Sequence, residues 1–153
     1  MMQLSYDVIT ALQGRTLVTA ESCTGGGIGA ALTDVPGSSA VYKGGIISYA
    51  NEVKTSLLGV DTGTLECNGA VSGEVAQKMA TGVLKLLNAD FAVSVTGLAG
   101  PSADAFGNPV GTVYIGFADK SSVISQKYLF SGDREQIRRQ AIVAALELVK
   151  SRI

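Results

Sequence analysis

Apolar residues recur along the chain at two spacings, one typical of helices and one typical of buried strands. Leu4, Val8 and Leu12 recur at helical spacing before Gly14, which predicts an amphipathic helix over residues 3–13. Apolar and β-branched runs predict five strands, at residues 16–20, 41–50, 91–96, 110–118 and 123–130. Four more helices are predicted, from a Gly-rich turn to about residue 33, from Asn51 to Gly59, after Ser72, and after Asp133.

The order of these elements predicts the fold class. Helices alternate with strands, and several strands are nearly all apolar, as in sheets that helices cover on both faces. The last two strands follow each other closely in the chain, which favours an antiparallel pair. We therefore expect an α/β protein in which residues 1–153 form a single domain, a three-layer α/β/α sandwich with a mixed β-sheet.

Composition narrows the range of partners. The 153 residues are 46% apolar and 16% charged, and no run reaches the roughly 18 apolar residues that a membrane span needs. The formal net charge is −1 and no dense basic stretch occurs, which argues against nucleic acid as a partner. The N-terminus has no charged-then-apolar secretion signal, so we expect a cytoplasmic protein.

The chain contains no histidine. This excludes a Ser-His-Asp triad, a Cys-His pair and an HExxH zinc site, so proton transfer must rely on Lys, Tyr, Asp, Glu or a thiol. Two cysteines are too few for a disulfide framework or a thiolate metal cage. We expect neither a metal nor an organic cofactor.

A Gly-rich segment, residues 21–27, joins a predicted strand to a predicted helix. Free amides at a helix start favour an anion such as phosphate, and Gly25 and Gly26 would allow it to approach the backbone. The segment is neither a Walker A loop nor a GxGxxG motif. Tight packing of strand against helix is an equally good explanation of these glycines.

Lys54 is the candidate base. If Asn51 is the N-cap, Lys54 is the third helical residue, where the helix dipole would lower its pKa. A neutral lysine can deprotonate a serine hydroxyl, and Ser38 and Ser39 lie nearby in the sequence. Taken singly, these residues are better explained as an ordinary surface lysine and turn hydroxyls.

Three other features have a functional and a structural interpretation. Cys23 is a rival nucleophile if the helix start lowers its pKa, or else a small buried residue. Three arginines near the start of the last helix, Arg134, Arg138 and Arg139, would suit an anionic ligand or a carboxylate partner, or else belong to a solvated basic face. The loop that follows Thr96 and Gly97 would present amides to an oxyanion, or else form a plain turn.

Six sequence blocks occur together and in order, and in combination they resemble the CinA C-terminal domain family. The blocks are AESCTGG at 20–26, DVPGSS at 34–39, YANEVK at 49–54, GAVS at 69–72, VSVTGLAGP at 93–101 and PVGTV at 109–113. The resemblance extends over nearly the whole chain. It implies a nicotinamide-nucleotide amidase, which converts nicotinamide mononucleotide (NMN) and water to nicotinate mononucleotide and ammonia.

The resemblance also implies roles for individual residues. Ser39 would be the nucleophile and Lys54 its base, with Ser22 and Tyr49 as supporting hydroxyls. Gly37 and Thr96 would line the site, and Arg134 or a neighbour would hold the substrate phosphate. Together with Gly25, Gly26 and Gly97 from the segments described above, these are the predicted substrate-binding residues.

Two departures from the family pattern leave an alternative open. Asn68 stands where relatives usually carry His, and residues 102–107 replace a glycine-rich acidic loop. The alternative is a catalytically weak or inactive domain that binds a nucleotide or a protein partner. A third hypothesis is catalysis by the Cys23 thiol. We also expect the protein to be a homo-oligomer.

Overall fold

The computed structural model describes all 153 residues and has a five-stranded mixed sheet at its centre. The strands are β1 (Leu17–Glu21), β2 (Tyr42–Ile47), β3 (Phe91–Gly97), β4 (Thr112–Ala118) and β5 (Val123–Leu129). Their order across the sheet is β2-β1-β3-β4-β5. β1 pairs in parallel with both β2 and β3, whereas the β3–β4 and β4–β5 pairs are antiparallel.

Helices cover both faces of the sheet. They are α1 (Met2–Ala11), α2 (Gly27–Thr33), α3 (Asn51–Leu58), α4 (Thr62–Asn68), α5 (Gly73–Leu87) and α6 (Arg134–Arg152). Helices α1, α2 and α6 share one apolar core with the sheet, and α3 and α5 share the other. The predicted three-layer α/β/α sandwich with a mixed sheet is therefore confirmed, as is the antiparallel pairing of the last two strands.

Alternation along the central strands builds the two cores. Leu17 of β1 and Val93 of β3 belong to the core with α1, α2 and α6, whereas Val18 and Ala92 belong to the core with α3 and α5. Successive side chains of a strand point to opposite faces, so a strand buried on both faces is apolar throughout. This explains why the central strands lack a polar face in the sequence.

Two helix starts follow the predicted caps. The Ser72 hydroxyl accepts a hydrogen bond from the Val75 amide at the start of α5. At the start of α6, Asp133 and Gln136 form the predicted capping box. Each side chain replaces a backbone acceptor that the first helical turn lacks.

Two predictions near α3 are wrong. Asn51 is the first residue of α3 and not its cap; Ala50 is the N-cap and has no side-chain hydrogen bond. α4 was not predicted at all, because none of its residues is buried and it therefore has no apolar stripe. Its start is nevertheless capped by the Asp61 carboxylate, which accepts from the Thr64 amide.

The parallel strands determine where a site can form. Because β2, β1 and β3 run in the same direction, the segments after Ile47, Glu21 and Gly97 leave the sheet at one edge. Loops at the carboxyl edge of parallel strands commonly form ligand sites. None of the helices is both long and apolar enough to cross a membrane.

Candidate active site

A cavity of about 380 Å³ lies at this carboxyl edge. This volume is in the range of small-molecule sites. Its lining comes from the ends of β1, β2 and β3, from α3, and from the start of α6. The lining residues are Ser22, Cys23, Tyr49, Asn51, Lys54, Ala70, Val71, Thr96, Gly97, Leu98, Ala99, Gly100, Pro101, Ser102 and Arg134.

Lys54 is the most unusual residue of the cavity, because its side chain is only 1% exposed. Its Nζ donates to the Ser22 hydroxyl at 3.0 Å and to the carbonyls of Ser48 at 2.7 Å and Tyr49 at 3.1 Å. All three acceptors are neutral, and no Asp or Glu lines the cavity. Nothing nearby therefore compensates a charged amine.

Burial lowers the pKa of Lys54 from its ordinary value of 10.5 to about 8. Removal of the amine from water disfavours the charged form, and the nearby Cys23 thiol offsets this effect only in part. The cause differs from the one predicted. Lys54 is the fourth residue of α3, one position further from the helix start than expected, and desolvation lowers its pKa.

Ser22 is the hydroxyl that Lys54 contacts. It is 8% exposed, and its amide donates to the Val95 carbonyl at 3.1 Å, which anchors it to β3. Alternation at the end of β1 directs Glu21 towards α2 and Ser22 towards α3. A serine hydroxyl and a buried amine 3.0 Å apart have the geometry of a nucleophile and its general base.

Ser39 lies elsewhere, so the predicted contact between Ser39 and Lys54 is wrong. Ser39 is exposed and belongs to a 3-10 turn, Ser38–Ala40, that precedes β2, whereas Lys54 contacts residues that follow β2. A six-residue strand spans roughly 20 Å, so the two side chains are at opposite edges of the sheet. Gly37, the cap of the same 3-10 turn, is also far from the cavity.

The Gly-rich turn does not offer an empty anion site. The Glu21 carboxylate accepts hydrogen bonds from the Thr24 hydroxyl at 2.6 Å and from the amides of Ile28 at 2.8 Å and Gly29 at 3.0 Å. It therefore occupies the start of α2 that was predicted to bind phosphate. Tight packing, the alternative interpretation, explains Gly27 of this segment better: a Cβ on Gly27 would lie 2.5 Å from Cδ1 of Ile142 in α6.

Gly25 and Gly26 accordingly do not line the cavity. Both have positive φ, at 59° and 98°, which glycine adopts without strain. A Cβ on Gly25 would face the Arg138 guanidinium, and one on Gly26 would face Ile47. Both glycines shape the turn, and the structure gives no contact between them and the cavity that was expected to bind the substrate.

Tyr49, Arg134, Thr96 and Gly97 do line the cavity. The Arg134 guanidinium donates to the Gly100 carbonyl at 2.6 Å and to the Tyr49 hydroxyl at 3.2 Å. Tyr49 is 61% exposed, so both groups lie at the mouth of the cavity. Thr96 donates its hydroxyl to the Ala70 carbonyl at 2.8 Å and so connects two walls.

Cys23 lines the cavity, but its buried position disfavours catalysis by its thiol. Burial raises the pKa of the Cys23 thiol to about 11, so it stays protonated near neutral pH. The helix start that was expected to lower this pKa already binds the Glu21 carboxylate. No group of three or more carboxylate and thiol side chains could hold a metal ion.

Several backbone groups of the cavity were not predicted from the sequence. The carbonyls of Ser48 and Tyr49 hold the amine of Lys54. The amides of Cys23, Ala99 and Gly100 lie in lining residues and donate to no other residue. Only the alignment of strand ends could have indicated them.

The two departures from the family pattern leave the Ser22–Lys54 pair untouched. Asn68 is exposed and lies outside the cavity lining. In the 102–108 loop, Asp104 accepts from the amides of Phe106 and Asn108, and Asn108 donates to the Val71 carbonyl at 3.1 Å. Of this loop, only Ser102 lines the cavity.

Residues 2–153 match the sequence profile of the CinA C-terminal domain. Nicotinamide-nucleotide amidohydrolase PncC of Escherichia coli K12 is 47% identical over an alignment of 150 residues that covers 96% of this chain and 91% of that protein. A CinA-like protein of Endomicrobium trichonymphae is 47% identical over an alignment of 154 residues that covers 96% of this chain but 36% of that protein. The chain thus spans about a third of the length of that CinA-like relative.

Two solved structures share the whole fold. Competence damage-inducible protein A of Klebsiella pneumoniae superposes with a TM-score of 0.96 at 35% identity, covering 99% of this chain and 95% of that one. A competence/damage inducible protein of Agrobacterium tumefaciens gives a TM-score of 0.94 at 40% identity, covering 98% and 93% of the two chains.

Proposed function

Because the chain belongs to the CinA C-terminal domain family, and because a buried lysine contacts a serine in its cavity, we propose that it is a nicotinamide-nucleotide amidase. The reaction is hydrolysis of the NMN carboxamide to nicotinate mononucleotide and ammonia, with Ser22 as nucleophile and Lys54 as general base. The 3.0 Å contact between Lys54 Nζ and Ser22 Oγ is the observation that carries this mechanism. The relative named nicotinamide-nucleotide amidohydrolase supports the choice of substrate.

The first half of the reaction forms an acyl-enzyme. Neutral Lys54 takes the hydroxyl proton of Ser22, and the Ser22 oxygen attacks the carboxamide carbon. The amides of Cys23, Ala99 and Gly100 are available donors for the oxyanion that forms. Protonated Lys54 then gives its proton to the leaving nitrogen, the C–N bond breaks, and ammonia departs.

The second half uses the same base for water. Lys54, neutral again, takes a proton from a water molecule, which attacks the ester carbon of the acyl-enzyme. The bond to Ser22 breaks, the serine oxygen regains a proton from Lys54, and the carboxylic acid product leaves.

The charges of the cavity suit both ends of NMN. The pyridinium ring is a cation, and a neutral lysine accommodates it where an ammonium would repel it. The phosphate is an anion, and Arg134 lies at the cavity mouth with no carboxylate partner in the lining. Tyr49, hydrogen-bonded to Arg134, would orient the guanidinium.

Ammonia release from NMN, nicotinamide riboside and nicotinamide tests the proposal, with Ser39→Ala as the matched control. We expect turnover of NMN, no turnover in Ser22→Ala or Lys54→Met, and wild-type turnover in Ser39→Ala. Full activity of Ser22→Ala would refute the mechanism. Tight binding of NMN without turnover by the wild type would favour the non-catalytic binding domain instead. The homo-oligomer stays a prediction, which light scattering on the purified chain would test.

A further inference from the structure

The turn that carries Ser22 is held from two sides by side chains of opposite charge. On the side of α2, the Glu21 carboxylate binds the Thr24 hydroxyl and the first amides of the helix. On the other side, Arg138 of α6 donates from Nε to the Cys23 carbonyl at 3.0 Å and from Nη2 to the Thr24 carbonyl at 3.2 Å. The mechanism proposed above uses neither Glu21 nor Arg138.

The two Arg138 hydrogen bonds act on consecutive peptide planes. A peptide unit is planar, so a bond to the Thr24 carbonyl also orients the Gly25 amide on the same unit. That amide donates to the Ser22 carbonyl at 3.1 Å. The Ser22 carbonyl in turn shares a peptide plane with the Cys23 amide, which lies directly after the nucleophile.

We propose that Arg138 is a positioning residue, which fixes the peptide planes after Ser22 and thereby holds the Cys23 amide as an oxyanion donor. This inference rests on the proposed function, because it assumes that Ser22 is the nucleophile. Arg138 touches backbone carbonyls and not the substrate, so its contribution belongs to the transition state and not to binding. A lysine cannot replace it, because only the planar guanidinium presents two donors in a fixed fork.

The position of Arg138 on α6 extends this role. Arg134 and Arg138 are four residues apart, so both side chains leave the same face of the helix. Arg134 contacts the Gly100 carbonyl on one wall of the cavity, and Arg138 contacts the turn on another. Helix α6 therefore carries both the arginine that holds the turn after Ser22 and the arginine proposed to bind the phosphate.

The test compares Arg138→Lys and Arg138→Gln with Arg139→Gln. Arg139 is a matched control, because it is the next residue and its one ion pair, with Glu135, lies on the surface. Removal of one oxyanion donor typically lowers kcat by about 10²-fold, so we expect both Arg138 variants to lose roughly this factor while KM changes less than about twofold. Arg139→Gln should keep the wild-type kcat.

Folding is checked by far-UV circular dichroism and thermal midpoints, and Arg138→Lys decides if Arg138→Gln does not fold. Arg138→Lys keeps the charge and most of the volume of the side chain. If Arg138 had only a structural role, this variant would therefore have the same kcat as Arg139→Gln. That result overturns the proposal. A rise in KM with unchanged kcat also overturns it, since it would assign Arg138 to binding.

A second readout does not depend on NMN. A fluorophosphonate probe phosphonylates an activated serine with loss of fluoride, and mass spectrometry locates the adduct. We expect labelling of Ser22 in the wild type and about 10²-fold slower labelling in Arg138→Lys, because the phosphonyl oxygen needs the same donors. If the wild type is labelled but does not hydrolyse NMN, the substrate proposal fails while the comparison of labelling rates still tests Arg138. Equal labelling rates overturn the inference about Arg138, and no labelling of Ser22 overturns it together with the nucleophile.

Discussion

Replacement of Lys54 by methionine is expected to change the stability of the protein in a strongly pH-dependent way. The buried amine has only neutral hydrogen-bond acceptors, and burial lowers its pKa from 10.5 to about 8. Methionine has a similar length and fills irregular space well, but it does not titrate. The variant therefore isolates the cost of a charged amine at this position.

The sign of the effect follows from proton linkage. Folding lowers the pKa of Lys54, so between about pH 8 and 10.5 the unfolded chain binds more protons than the folded one. The unfolding free energy of the wild type therefore rises with pH through this window. Below it, the folded protein is destabilised by the full cost of burying the charged amine. A shift from 10.5 to about 8 corresponds to about 3 kcal/mol.

The unfolding free energy of Lys54→Met, minus that of the wild type, should therefore fall by about 3 kcal/mol between about pH 7 and pH 10.5. Two carbonyls lose their donor in the variant, which lowers the variant's stability at every pH by a constant amount and leaves this slope unchanged.

Urea unfolding followed by circular dichroism at four or more pH values measures the difference. Other groups that titrate at alkaline pH are common to both proteins and cancel. Lys43→Met, in which an exposed lysine is removed, is the control and should not reproduce the fall. A difference for Lys54→Met that stays constant within about 1 kcal/mol would refute the reasoning, because burial would then not penalise the charge on Lys54.

Four further outcomes are expected. kcat/KM for NMN should rise about tenfold from pH 7 to pH 9, because the neutral fraction of Lys54 rises with an apparent pKa of about 8; a flat profile contradicts this. Arg134→Gln should raise KM for NMN about tenfold but leave nicotinamide riboside nearly unaffected, since the riboside has no phosphate, and an equal loss on both would contradict the assignment. Cys23→Ala should keep kcat within about threefold, because the buried thiol stays protonated; if the thiol were the nucleophile, the variant would be inactive. Gly82→Ala should lower the unfolding free energy by roughly 2 kcal/mol, because the alanine Cβ would clash with the Leu58 carbonyl oxygen; an unchanged urea midpoint would contradict the close approach of α3 and α5.

The fold was predictable because its signals are local. Helical spacing located α1, α5 and α6, and the side chains of Ser72 and Asp133 marked where two of these helices begin. α4 escaped because its stability comes from the Asp61 cap and from packing against α5, and neither produces an apolar period. The helix depends on its contacts with α5, and the spacing of apolar residues in the sequence does not reveal such contacts.

For the candidate site, the sequence singled out Lys54, the proposed base, but not its contact with Ser22, the proposed nucleophile. Lys54 stands out because an acidic residue would suit the start of α3 better. The contact with Ser22 joins residues that are 32 positions apart, and it exists because β1 and β2 are parallel neighbours whose carboxyl ends meet. Ser39 is nearer in sequence, yet the whole length of β2 separates it from the cavity.

The Gly-rich turn shows why a local motif can be misread. The free amides at the start of α2 were correctly inferred, but the anion that binds them comes from Glu21 of the same segment. No spacing rule reveals that a side chain folds back onto the helix that follows it. The amides of Ile28 and Gly29 are therefore not free to bind the phosphate of a ligand.

Glu21 and Arg138 have opposite charges on the two sides of one short turn, yet each binds backbone groups and neither binds the other. Exchange of the two residues would therefore not preserve the turn, because it would place a carboxylate against backbone carbonyls and a guanidinium against backbone amides. Transfer of residues 21–29 to another protein would likewise lose the conformation of the turn unless a second element supplied the arginine. Ser22, the proposed nucleophile, is thus part of a turn whose conformation depends jointly on two distant stretches of the chain.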